Sequence, residues 1–194
     1  MKEAIAMSSH PTTRRRLLAT AALTVASCAI DPRTFAADEP AGARGANSAD
    51  MPRAELLTDG DVKTYLLVFH TGQEVMKGLV AFAREHKLVA GRVTGIGALS
   101  DAVVGYFEPE QKTYVRIQEE GQHELLSLNG NLALYQDSPF YHVHVALGLR
   151  DGTVRGGHLF SAIVRPTTEL VLTTYAKPVH RQLDPACNLP LINP

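Results

Sequence analysis

His142, His144 and His158 are the residues whose type and spacing could do metal chemistry. Neutral imidazole is a good ligand for zinc and other late first-row divalent metals. His142-Val143-His144-Val145-Ala146-Leu147-Gly148-Leu149 alternates, so a strand here carries both histidines on one face and Val143, Val145, Leu147 and Leu149 on the other. Asp151-Gly152 then marks a tight hairpin, because both residues tolerate positive φ. The return segment Val154-Arg155-Gly156-Gly157-His158-Leu159 carries the third imidazole. One local element thus gathers three nitrogen ligands. Three ligands without a fourth leave a position for water or substrate, the pattern of a catalytic zinc site and not of a structural one. The alternative is that His142 and His144 are hydrogen-bonded sheet residues and His158 serves a turn.

Register decides between these readings. A two-residue loop, Asp151-Gly152, pairs Arg150 with Thr153 and sends His158 to the valine face. A three-residue loop, Asp151-Gly152-Thr153, pairs Arg150 with Val154 and sets His158 on the histidine face, opposite Ala146 and diagonal to His144. A bulge at Gly156-Gly157 shifts the parity in the same way.

The chain has no serine or cysteine beside an obvious base, and no catalytic residue is assigned. Glu124 and Glu169 are candidates for a general acid or base, or for partners that orient a histidine; the alternative for each is a surface or cross-strand charge. Gly95-Ile96-Gly97-Ala98 follows a strand and would cradle a phosphate only if a helix came next. Ala102 to Phe107 reads as a strand instead, so the glycines read as a tight turn with close backbone approach.

The elements that must position the histidines follow from the remaining pattern. Lys63 to His70 is a nearly all-apolar strand. Thr71 and Glu74 have the spacing of a capping box, and Val75, Leu79, Phe82 and Ala83 follow helical spacing to Lys87. Strands are expected at Leu88 to Thr94, Ala102 to Phe107, Thr113 to Gln118, Glu124 to Leu128, Leu132 to Tyr135 and Glu169 to Tyr175. Turns are expected at Glu119-Glu120-Gly121, Asn129-Gly130-Asn131 and Asp137-Ser138-Pro139. The expected fold class is α+β, mainly antiparallel sheet with one principal helix. The tail after Pro178 is expected to pack as irregular chain.

Composition is that of a globular protein, with 45% hydrophobic and 20% charged residues. Residues 1–37 read as an export signal of twin-arginine type: Thr13-Arg14-Arg15-Arg16-Leu17-Leu18 precedes an apolar run to Ile30. That run is shorter than the ~20 residues that span a bilayer, so the mature chain is expected to carry no transmembrane helix. Cleavage is expected after Ala36 or Ala37, which makes the mature protein periplasmic or extracellular. Val25-Ala26-Ser27-Cys28 also resembles a lipobox, which would anchor the chain through Cys28. With the signal removed, Cys187 is the sole cysteine and no internal disulfide forms. The signal holds five bases and two acids. Subtracting them from 19 and 20 leaves 14 and 18, a net charge of −4 that disfavours general nucleic-acid binding. Residues 38–55 read as a flexible linker rich in Ala, Gly, Pro and Asp, and residues 56–194 as the domain.

Several segments occur together in a characteristic order: Thr71-Gly72, Gly95-Ile96-Gly97-Ala98, Tyr106-Phe107, Glu124 to Asn131, His142-Val143-His144, Gly156-Gly157-His158-Leu159 and Thr168-Glu169-Leu170. Over residues 62–176 the chain resembles the PPC (plant and prokaryote conserved) domain, bacterial type. The resemblance implies an antiparallel sheet flanked by a helix, and a homotrimer. It also implies a metal held by His142, His144 and His158, as in some bacterial members. Plant members join the domain to AT-hooks that bind DNA. The Arg-Gly-Arg-Pro core of that motif is missing here, so nucleic acid is not expected as a partner, although bacterial members often carry a DNA-binding label. Two functions are therefore expected of this sequence. One is an exported metal protein, zinc first, that binds or acts on a small molecule. The other is a homotrimeric interaction module, with DNA association as its weaker form and no catalysis.

Overall fold

The computed structural model describes residues 48–193, so the export signal and Cys28 lie outside the described residues. A short 3-10 turn at Ser48–Asp50 leads into strand β1, Arg53–Thr58, which begins inside the stretch read as linker. Then come β2 Val62–His70, helix α1 Val75–Glu85, β3 Gly91–Glu108, β4 Thr113–Tyr135, β5 Ser138–Gly148 and β6 Val154–Tyr175. A small hairpin, β7 Arg181–Asp184 and β8 Leu189–Ile192, closes the chain. The main sheet has the order β1-β2-β6-β3-β4-β5, and β6 also pairs with β5. The pairings β6–β3–β4–β5–β6 therefore form a closed circuit, which removes free edges from that part of the sheet.

The α+β expectation is corrected. One helix of 11 residues accompanies strands of 18, 23, 11 and 22 residues, and the architecture is β-rich. The error lay in reading glycine and asparagine as strand breaks. Asn129-Gly130-Asn131 sits mid-strand, between Thr94, Val93 and Arg92 on one side and His144, Val143 and His142 on the other. Gly130 is there for close approach: a Cβ would lie 2.6 Å from the His142 carbonyl oxygen. Gly121 has φ +89 at a register shift opposite Ser100, so it bends β4 without ending it. The three strands expected between Thr113 and Tyr135 are one strand. Gly95 and Gly97 likewise lie within β3, where a Cβ on Gly95 would meet the Glu169 carbonyl oxygen at 2.2 Å. The close approach expected there occurs; the tight turn does not. The β4–β5 turn lies one residue early, at Gln136-Asp137, both with positive φ. The tail after Pro178 is ordered as β7–β8, with Leu134 N donating to Val179 O at 2.8 Å.

Helix α1 buries Val75, Leu79, Phe82 and Ala83 against a core that includes Leu67, Phe69, Val93, Leu128, Val143, Leu147 and Leu172. The expected Thr71–Glu74 capping box does not form. Glu74 is itself the N-cap, accepting from Met76 N at 3.0 Å and Lys77 N at 2.6 Å. The reason is visible in β6, which pairs with β5 up to His158 and with β2 from Thr167. Between them β6 has no strand on that side. Gly72 N donates to Val164 O, Val164 N to Gln73 O, and Ala162 N to Glu74 Oε1 at 2.9 Å. The turn before α1 thus satisfies the exposed length of β6. Burial pushes the Glu74 carboxyl up, and the N–H groups of Ala162, Lys77 and Met76 oppose that shift. Glu74→Ala leaves these donors without acceptors and is expected to cost about 2–4 kcal/mol in chemical denaturation.

Candidate metal centre

The hairpin has the three-residue loop, but one position earlier than expected. Gly148 pairs with Val154, and Leu149 N donates to Thr153 O at 2.9 Å, so the loop is Arg150-Asp151-Gly152. Gly152 takes φ +82, the left-handed residue that closes such loops. Asp151 Oδ1 accepts from Thr153 N at 3.0 Å and from Thr153 Oγ1 at 2.7 Å, which pins the turn. His158 consequently lies directly opposite His144, on the histidine face, and not diagonal to it. Gly156 and Gly157 keep the strands close. A Cβ on Gly156 would meet the Val145 carbonyl oxygen at 2.1 Å, and one on Gly157 the Gly105 carbonyl oxygen at 2.5 Å.

All three sequence-nominated histidines converge. Their ligand nitrogens lie within 4.8 Å of one another, and no other such group of His, Cys, Asp or Glu occurs among the described residues. His142 Nε2 and His144 Nε2 are 3.0 Å apart. A tetrahedral zinc site with bonds of about 2.0–2.1 Å has edges of about 3.4 Å. The 3.0 Å pair is close to that edge, and the other separations are no more than 4.8 Å. His158 is set by ring packing: Tyr114 stacks on it at 4.8 Å between centroids and Phe160 meets it edge-on at 4.9 Å. Its Nδ1 is buried without a hydrogen-bond partner among the described residues, an orphaned nitrogen of the kind a metal would satisfy.

Charge around the cluster is positive. Burial holds the His142 imidazole down at about 4, with Arg181 and His144 adding to it. Burial takes His158 down to about 3, helped by His142, His144, Arg116 and Arg181. His144 is also lowered by burial. His142 and His158 therefore stay neutral well below the ordinary imidazole range, and His144 is shifted the same way, so the rings are ready to act as ligands. Neither Glu124 nor Glu169 joins the group. Glu124 lines an open depression of about 580 Å³ with Ile96, Leu126 and Thr167, and Glu169 is an exposed strand residue opposite Ile96.

Sequence reasoning missed Tyr114, Arg116, Phe160 and Arg181. Alternation on the strands puts residues on faces but does not reveal which strand lies next to which. Arg181 had no signal, because it sits in the tail read as irregular.

The fold and the cluster can be set against known proteins. The Plants and Prokaryotes Conserved (PCC) domain model matches residues 57–176. The chain belongs to this family. Its fold is shared with a metal-containing protein from Archaeoglobus fulgidus, at 34% identity and TM-score 0.64, covering 74% of this chain and 100% of that one. A plant- and prokaryote-conserved (PPC) protein from Pyrococcus horikoshii matches at 30% identity and TM-score 0.64, over 73% of this chain and 95% of that one. A candidate DNA-binding protein from Bacteroides thetaiotaomicron matches at 27% identity and TM-score 0.67, over 72% and 96%. A curated relative, the bifunctional protein GlmU of Synechococcus, is 29% identical over 162 residues, and the match spans 24% of its length. No helix among the described residues is long and apolar enough to cross a membrane.

Proposed function

We propose that this PCC-domain protein binds one divalent metal ion, zinc first, through His142, His144 and His158, and presents its open position to a small molecule. The observation that carries the reading is the gathering of three imidazole nitrogens within 4.8 Å on one sheet face. The likeness to a metal-containing protein of the same fold supports it. A bound metal would supply a Lewis acid and an activated water there. The chain's own part is to hold three rings neutral, to orient His158 between Tyr114 and Phe160, and to set His144 opposite it. We assign the protein to the periplasm or the extracellular space on the strength of residues 14–30, with a lipid anchor at Cys28 as the variant of that assignment.

The test is a zinc titration of chelator-stripped full-length protein by calorimetry. One site per chain is expected; no saturable binding overturns the reading. A second reading then stands, that of a homotrimeric interaction module with DNA association. Apolar side chains left in solvent support it: Tyr106 is 63%, Ile96 61% and Leu126 50% exposed.

The lowered histidines also set a pH dependence. A free imidazole would release metal near pH 6.5. Here burial lowers all three rings, His142 to about 4, His158 to about 3 and His144 in the same direction, so protons compete at lower pH than for a free imidazole. Zinc retention is expected to hold through pH 6.5 and to fail toward pH 4, as followed by equilibrium dialysis. The metal-free fold has the matching sign. Unfolded imidazoles take protons below about 6.5 that the folded ones refuse, so stability falls from about pH 6.5 toward 4.

A further inference from the structure

Arg181 is a buried guanidinium, 6% exposed, on β7 and outside the family match at 57–176. Its Nη2 donates to Asn131 Oδ1, and Asn131 stands directly opposite His142 in the β4–β5 register. Its Nη1 donates to Pro190 O at 2.8 Å, and its Cζ lies 5.0 Å from the centre of the Phe140 ring. Its Nε–H is buried and has no acceptor among the described residues. No ion pair joins Arg181 to a carboxylate among the described residues. Its charge bears on both His142 and His158. A buried, uncompensated guanidinium is costly and needs a counter-charge.

The metal site deepens this imbalance. Three neutral imidazoles leave the full double charge of a divalent ion uncompensated, and Arg181 adds a further positive charge beside it. No carboxylate belongs to the ligand group. We propose that the open position beside His142, His144 and His158 takes a small oxyanion, a carboxylate or a phosphate, and that Arg181 draws and orients it. The inference rests on the metal reading above. An oxyanion is an acceptor for the idle Nε–H, and guanidinium geometry suits carboxylate and phosphate alike. It also separates two like charges, so metal and anion strengthen each other's binding by the same factor.

The experiment uses full-length protein loaded with cobalt(II), whose visible bands report a change in coordination. Acetate and inorganic phosphate are titrated separately, and the one that saturates identifies the class. Wild-type protein is expected to show a saturable spectral change with at least one of them. Arg181→Gln is expected to keep one cobalt per chain and to raise the half-saturating concentration at least tenfold. Because Arg181 also ties β7 to β8, a second variant leaves it in place. Asn131→Asp supplies a built-in carboxylate and is expected to weaken the added anion to a similar degree. An absent spectral change in wild type, or unchanged titrations in both variants, overturns the proposal while leaving the metal site standing. Failure of wild type to take cobalt at all overturns the metal reading and this inference with it.

Discussion

Replacing His144 by alanine is expected to lower zinc affinity by more than about 100-fold, since even partners outside the ligand set cost 10–100-fold when removed. The fold should barely notice, because His144 is exposed. His158→Ala is expected to remove the metal to the same degree and to lower the melting temperature as well. That imidazole is half-buried and packed between Tyr114 and Phe160, so its loss leaves a gap in an aromatic cluster. Zinc calorimetry and thermal unfolding on both variants separate the two effects. If either variant binds zinc like wild type, the three histidines are structural.

Gly156→Ala is expected to be the most disruptive single methyl in the hairpin. The added carbon would stand 2.1 Å from the Val145 carbonyl oxygen, a backbone atom that cannot swing aside. β5 and β6 would have to part where Val145 pairs with Gly157 and His144 with His158. A cost of about 3 kcal/mol is expected. Zinc affinity should fall too, although no ligand has changed. Denaturant unfolding and zinc titration on one preparation check both. A stable variant with undiminished zinc binding would show that strand spacing does not hold the site. The contrast with His144→Ala is instructive: one change removes a ligand and spares the fold, the other spares every ligand and moves them apart.

How much of this was legible beforehand depends on the range of the interaction. The shared face of His142 and His144 follows from strand alternation, a local property of period two. Asp151-Gly152 correctly marked the reversal, and the face of His158 followed once the loop was taken as three residues. The loop's exact position did not follow, because Arg150-Asp151-Gly152 and Asp151-Gly152-Thr153 both satisfy local turn preferences. Helix α1 was legible from its spacing, but its cap was not. Glu74 caps the helix because β6 needs an acceptor at Ala162, 88 residues away.

By itself the sequence determined the local terms: the strand face of two histidines, the hairpin that returns a third, one amphipathic helix and the ordered motifs of the family. The tertiary structure alone decided what glycine means. Gly95 and Gly130 look like breaks in one dimension, yet they, like Gly156, sit inside strands because a neighbouring backbone occupies the place of a side chain. It alone decided that Tyr114 and Phe160 hold His158, and that Arg181, from the tail, sets its charge against the histidines. These are contacts between residues far apart in the chain. Periodicity reports only which way a side chain points from its own strand, whereas burial, electrostatics and close packing depend on which strand lies beside it.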